Sequence, residues 1–173
     1  MGGHQVYLSL GSNLGDKKRN CETALSELER RNIGKVCSLS SFYMTEPVDF
    51  TDQDWFVNAV AHFETHFAPQ DLLAALQQIQ SDLGTREKSV RFGPRIIDLD
   101  ILLYDDMIYR DGDLVIPHER MHQRAFVLVP LCDIAAEKCH PIFGRTMKDL
   151  LNHIDPEHQG VKPLTPDTGE PHA

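Results

Sequence analysis

The run Ile-Ile-Asp-Leu-Asp-Ile-Leu-Leu-Tyr at positions 96–104 constrains the fold most. It is almost unbroken apolar sequence, with three β-branched isoleucines, interrupted only by Asp98 and Asp100. In a strand, side chains alternate faces with a period of two. Ile97, Leu99, Ile101 and Leu103 then share an apolar face, and the two aspartates share the other. Burying unpaired carboxylates costs about several kcal/mol or more each. One face of this strand therefore belongs to a core, and the other opens to solvent, cations or a ligand.

The remaining elements follow in order. Val6–Leu10 alternates as a first strand and ends in the turn-forming Gly11-Ser12-Asn13-Leu14-Gly15-Asp16. That turn lacks the Gly-Lys-Ser/Thr ending of a P-loop, and it reads as a plain strand–helix connection. Asp16 caps a helix to about Arg31, with Cys21, Ala24, Leu25 and Leu28 on one face. Val36–Tyr43 reads as a second strand and Trp55–Glu64 as a third. In the third, Val57, Ala59, Ala61 and Phe63 form a core face, with Phe56 and Asn58 opposite. Pro69 opens a second helix whose stripe is Leu72, Leu76, Ile79 and Leu83, stopped by Gly84. After the acidic strand come turns at Asp105-Asp106 and Asp111-Gly112-Asp113 and a short strand Leu114–Ile116. The stretch 119–131 is partly helical with a break at Pro130, and Met147–Ile154 is a last helix.

The order β-α-β-β-α-β predicts an α+β fold with a ferredoxin-like core. A mainly antiparallel sheet carries helices packed on it. That arrangement makes the first and last core strands neighbours near the sheet centre. The 173 residues suit one domain over 1–154. Residues 155–173 hold four prolines and few large apolar residues, which predicts a disordered tail.

Formal charge is −9, which speaks against a general nucleic-acid surface. Yet seven of the 17 Lys+Arg fall between Arg86 and Arg124, around the acidic strand. Arg91 and Arg95 flank Gly93-Pro94 just ahead of it. Carboxylates that hold Mg²⁺ beside arginines that fork onto phosphate oxygens are the parts phosphoryl transfer needs. Phe56 beside Asn58 offers stacking and hydrogen bonding to a flat heterocycle. The competing pattern is His118-Glu119-Arg120-Met121-His122, which matches the zinc-hydrolase H-E-x-x-H. Pro117 directly before it places His118 at a helix entrance, and no third ligand follows at a fixed offset. A non-catalytic nucleotide-binding module is the other alternative. The four cysteines show no C-x-x-C spacing, and no apolar run approaches membrane-spanning length. A cytoplasmic protein with no membrane association is expected.

Several motifs together resemble the 6-hydroxymethyl-7,8-dihydropterin pyrophosphokinase family of folate biosynthesis. They are Leu10-Gly11-Ser12-Asn13, Ser41-Phe42-Tyr43 with Thr45 and Pro47, Phe56-Val57-Asn58, Arg91–Arg95 through Asp100, and Ile116-Pro117-His118 with Arg124 and Phe126. The resemblance spans about Tyr7 to Leu151. It implies transfer of pyrophosphate from ATP to the pterin hydroxymethyl oxygen, with release of AMP. Asp98 and Asp100 match the pair that holds two Mg²⁺ ions. Arg95 and the flap arginine Arg86 join them as catalytic positions. Thr45, Pro47, Val48, Phe56, Asn58 and Phe126 match the pterin site. Leu73, Gln77, Lys88, Arg91, Phe92, Arg95, Ile101, His118 and Arg124 match the ATP site. The sequence departs from the family pattern at Thr85, where an arginine is usual, at Gln80, where a glutamate is usual, and at Glu119, often a tyrosine. Partners implied are the two small-molecule substrates, with the chain a monomer or weak homodimer.

Overall fold

The computed structural model describes residues 2–47, 53–84, 96–155 and 160–164. Its elements in chain order are β1 (His4–Ser12), α1 (Lys17–Arg30), β2 (Lys35–Leu39), β3 (Tyr43–Thr45), β4 (Phe56–Thr65) and α2 (Pro69–Asp82). Then come β5 (Asp98–Tyr104), β6 (Tyr109–Asp111), β7 (Leu114–Ile116), a 3₁₀ turn (Met121–Gln123), α3 (Ala125–Ala135), α4 (Met147–Asn152) and β8 (Val161–Pro163). The main sheet runs β5-β1-β4-β3-β8, with β2 also paired to β4. Every pairing is antiparallel. This is the expected α+β, ferredoxin-like order, with one adjustment: β5 neighbours β1 but lies at the sheet edge.

Each local element has a readable cause. Asp16 accepts from Arg19 N at 3.2 Å and caps α1. Cys21, Ala24, Leu25 and Leu28 face inward at helical spacing. Pro69 begins α2, where a missing N–H costs nothing. These two helices cover one face of the sheet. Val6, Leu8 and Leu10 of β1, Ala61 and Phe63 of β4, and Leu99 and Ile101 of β5 bury against Leu28, Leu72, Leu76 and Ile79.

The second face is half covered. Helices α3 and α4 bury Val127, Leu128, Leu131, Met147 and Leu150 against Val60, Leu102 and Leu103. The other half of that face is open, and it carries the functional side chains.

Several details differ from the sequence-based expectation. The alternation in β5 breaks, because the β1–β5 register shifts between Tyr7 and Leu8. Leu8 opposes Ile101 while Tyr7 opposes Leu103, so Leu102 is an extra residue, a β-bulge. Leu103 therefore turns to the α3–α4 face, and Tyr104 joins the other core in its place. The second strand is split into β2 and β3. Between them the Ser40 hydroxyl accepts from Val60 N at 2.9 Å, as a serine side chain replaces a strand carbonyl. Pro130 does not break α3. The helix runs through it, and the proline ring is buried, which offsets the lost backbone bond. Residues 161–163 of the expected tail are strand β8, paired with β3. Among the described residues, no helix is long and apolar enough to cross a membrane.

Candidate active site

Register builds the site. Asp98 opposes Gly11, Gly11 opposes Asn58, and Asn58 opposes Tyr43, giving one row across four strands. Asp100 opposes Ser9 in the next row on the same face. Adjacent strands lie about 4.8 Å apart, so the Asp98 and Asn58 backbones are separated by roughly 10 Å. Gly11 leaves the floor between them bare. A Cβ there would lie 2.6 Å from Asn58 Nδ2.

A cavity of about 490 Å³ stands over these rows. At one end are Asp98, Asp100, His118 and Arg124, and at the other Thr45, Pro47, Phe56, Asn58 and Phe126. Leu73 and Ile101 also line it, so it reaches round the outer edge of β5. The strand–turn–helix architecture thus unites residues from β3, β4, β5, the loop after β7, and the start of α3.

Each side chain is held. Asn58 Nδ2 donates to Leu10 O at 3.2 Å, and Asn58 Oδ1 accepts from the Thr45 hydroxyl. Both residues are buried. The amide is therefore fixed in one orientation, with one N–H and one lone pair left for a ligand. On the edge strand, Leu99 N donates to Gln80 Oε1 of α2 at 2.8 Å, which anchors the backbone between the two aspartates. His118 N donates to Leu102 O at 2.9 Å, docking this loop on the same strand. His118 Nδ1 accepts from Arg120 N at 3.2 Å. That bond assigns the proton to Nε2. Burial, as the largest influence, lowers the His118 pKa, while the nearby Asp100 charge opposes the shift. The ring is thereby poised as a neutral N–H donor. Arg124 packs its guanidinium 5.4 Å from the Phe126 ring centroid, linking the cationic end to the aromatic one. Tyr43 is tied by its hydroxyl to Asp133 at 2.7 Å, and burial aided by that bond pushes its pKa up to about 12.

The H-E-x-x-H reading does not match this geometry. Residues 118–122 form a turn and a 3₁₀ segment rather than an α-helix, so no helical face aligns the histidines. His118 lines the cavity, whereas His122 packs on Phe143 with ring centroids 4.8 Å apart. Among the described residues, no group of three or more His, Cys, Asp or Glu is arranged to hold a metal ion. Asp98 and Asp100 alone suit a cation whose remaining ligands are water and phosphate.

Of the residues singled out in the sequence, eleven described ones line the cavity: Thr45, Pro47, Phe56, Asn58, Leu73, Asp98, Asp100, Ile101, His118, Arg124 and Phe126. Gln77 is exposed on α2 and is not in the lining. Val48, Arg86, Lys88, Arg91, Phe92 and Arg95 lie outside the described residues. Ser9, Gly11, Glu46 and Arg120 line the cavity without having been singled out for it. Gly11 had a signal, its place in a glycine-rich turn beside the first strand.

Comparison with known proteins identifies the family. The sequence profile of the 7,8-dihydro-6-hydroxymethylpterin-pyrophosphokinase family matches residues 7–136. A 2-amino-4-hydroxy-6-hydroxymethyldihydropteridine pyrophosphokinase from Methylorubrum extorquens is 41% identical over 152 residues, 88% of this chain and 94% of that one. The folic acid synthesis protein fol1 of Schizosaccharomyces pombe is 40% identical over 157 residues. This chain spans only 21% of that longer protein. In structure, Plasmodium falciparum HPPK-DHPS with pteroate superposes with a TM-score of 0.68 at 16% identity, over 86% of this chain and 42% of that one. At that identity the likeness speaks to the fold alone. With a profile match over most of its length and a near full-length relative at 41% identity, the chain belongs to the 7,8-dihydro-6-hydroxymethylpterin-pyrophosphokinase family.

Proposed function

We propose that this chain transfers pyrophosphate from ATP to the hydroxymethyl oxygen of 6-hydroxymethyl-7,8-dihydropterin, releasing AMP. One observation carries the reading. A single cavity is lined by a carboxylate pair, a histidine and an arginine, and by an amide and two aromatics. The first group suits a polyphosphate and the second a flat heterocycle.

In this reading the pterin hydroxyl oxygen attacks the β-phosphorus and its proton passes to solvent, while the bond to the α-phosphate oxygen breaks and AMP leaves with that electron pair. Phe56 and Phe126 hold the ring, while Asn58 and Thr45 bond its edge. Asp98 and Asp100 would hold Mg²⁺, two ions in this reading, which would supply neutralisation of the phosphate charge. His118 donates its Nε2–H to a phosphate oxygen, and Arg124 adds positive charge beside it. Arg91, Phe92 and Arg95 serve the same phosphates and nucleotide from the segment before β5, with Arg86 or Lys88 in the flap role. Leu73 and Ile101 flank the adenine at the β5 edge. Positioning and charge neutralisation carry the rate, so no strong general base is required.

The substrates are small molecules and the chain works as a monomer or weak homodimer. The test is product identity. Incubation with ATP, Mg²⁺ and the pterin is expected to yield AMP and a pterin diphosphate, and no AMP without the pterin. ADP as the product would contradict the reading.

A further inference from the structure

Strand β8 lies beyond residue 136, outside the stretch that matches the family profile. Yet it backs β3, whose end lines the heterocycle end of the cavity. It pairs with β3 in the register Tyr43 with Pro163, Met44 with Lys162 and Thr45 with Val161. The ladder continues past both ends of β3. Glu46 N donates to Gly160 O at 3.0 Å, and Leu164 N donates to Phe42 O at 2.9 Å. Antiparallel pairs alternate between bonded and non-bonded. Positions 46/160 and 42/164 are bonded, so 44/162 is bonded too and 43/163 is not. Pro163 therefore sits where no donor is needed.

The fit is close. A Cβ on Gly160 would overlap the Glu46 carboxylate. Lys162 Nζ stands 5.5 Å from the centroid of the Trp55 ring, next to Phe56 in sequence. Thr45, Glu46 and Pro47 all line the cavity, and Thr45 holds the Asn58 amide. The carboxylates of the phosphate end stand on β5, at the opposite end of the sheet from β8.

We propose that β8 is a positioning strap for the pterin site. By pairing with β3, residues 160–164 fix Thr45 and Glu46 against Asn58, so pterin affinity depends on them and ATP affinity does not. The inference rests on the functional reading given above. Without β8, β3 is a three-residue edge strand held to the sheet by β4, with Tyr43 tethered to Asp133. Such a short edge strand samples other positions readily.

Two substitutions in the full chain separate the strap from its surroundings. Lys162→Pro removes a ladder donor, whereas Lys162→Arg keeps both the donor and the cation over Trp55. Binding of the pterin and of a non-hydrolysable ATP analogue is measured by calorimetry for each protein. Lys162→Pro is expected to weaken pterin binding about tenfold or more, the scale of one misplaced polar contact. Its ATP-analogue affinity stays within about twofold of wild type, which also reports an intact fold. Emission from Trp55, the sole tryptophan, shifts in Lys162→Pro and returns in Lys162→Arg together with pterin affinity. Unchanged pterin affinity in Lys162→Pro would overturn the proposal, and so would an equal loss for both ligands. Wild-type protein that binds the ATP analogue but no pterin would overturn the functional reading, and this inference with it.

Discussion

Asp98 on β5 and Asn58 on β4 face the same side of the sheet from the two strands flanking Gly11, in one hydrogen-bonding row. The separation of two strand spacings sets a span of roughly 10 Å between the carboxylate and amide ends. That span suits a fused heterocycle carrying a hydroxymethyl arm toward a phosphate.

Gly11 keeps the floor of that row open, and a methyl there crowds Asn58 Nδ2. Gly11→Ala is expected to push the amide out of position. Pterin KM should rise by about tenfold to a hundredfold, as misplacement near a reacting group does. ATP KM should stay close to wild type. Steady-state kinetics with each substrate varied in turn checks this.

Thr45 and Asn58 are buried and bonded to one another. Thr45→Val leaves the Asn58 carbonyl oxygen without that donor. A loss of about 1–3 kcal/mol in urea unfolding is expected, with weaker pterin binding. Thr45→Ser, which keeps the hydroxyl, should recover most of both.

Gln80 supplies the acceptor for Leu99 N on the edge strand. Gln80→Leu strands that donor between the two aspartates and should cost about 1–3 kcal/mol, with a fall in kcat. Gln80→Glu retains an acceptor oxygen and should remain near wild type. The pair of variants, followed by urea melts and turnover, separates loss of the bond from loss of side-chain volume.

His140 is buried, its Nδ1 accepts from Ile142 N at 3.2 Å and Phe143 N at 3.3 Å, and burial lowers its pKa to about 4, helped by the neighbouring His122. The folded state holds this ring neutral while the unfolded chain protonates it near 6.5. Between about pH 6.5 and 4 the unfolded state thus binds more protons. Stability is full above that window and declines as pH falls through it, by about 1–3 kcal/mol. Burial also lowers the pKa of His62 and His118, which act in the same direction. Chemical denaturation from pH 7 to 5 should show a smaller decline in His140→Asn than in wild type.

Much of this was legible before any coordinates, for definite reasons. The period-two pattern of Asp98 and Asp100 fixed their shared face, and the capping Asp16 and the stripes of α1 and α2 fixed the helices. The Leu102 bulge was not legible, because a run of consecutive leucines gives alternation no polar marker to break on. The split at Ser40 depends on one hydroxyl reaching Val60 N, a tertiary contact that local patterning does not encode. Strand β8 escaped for a similar reason. Val161-Lys162-Pro163 is too short to show alternation and carries a proline, and only the edge of β3 makes it a strand. In the site, Phe56 and Asn58 were visible as a pair, but their distance from Asp98 came from strand order alone. Gly11 was visible as part of a glycine-rich turn, but its role, keeping the floor bare beside Asn58, depends on the strand pairing.

The most direct measurement is AMP release at saturating ATP, pterin and Mg²⁺ by wild type, Asp98→Ala and Asp100→Ala. The carboxylate pair opens to the cavity from an edge strand whose other face stays packed, so both variants should fold. Each is expected to lose about 10³-fold or more in turnover, the scale of removing a group that stabilises transferring charge. AMP formation at the wild-type rate in either variant would contradict the account.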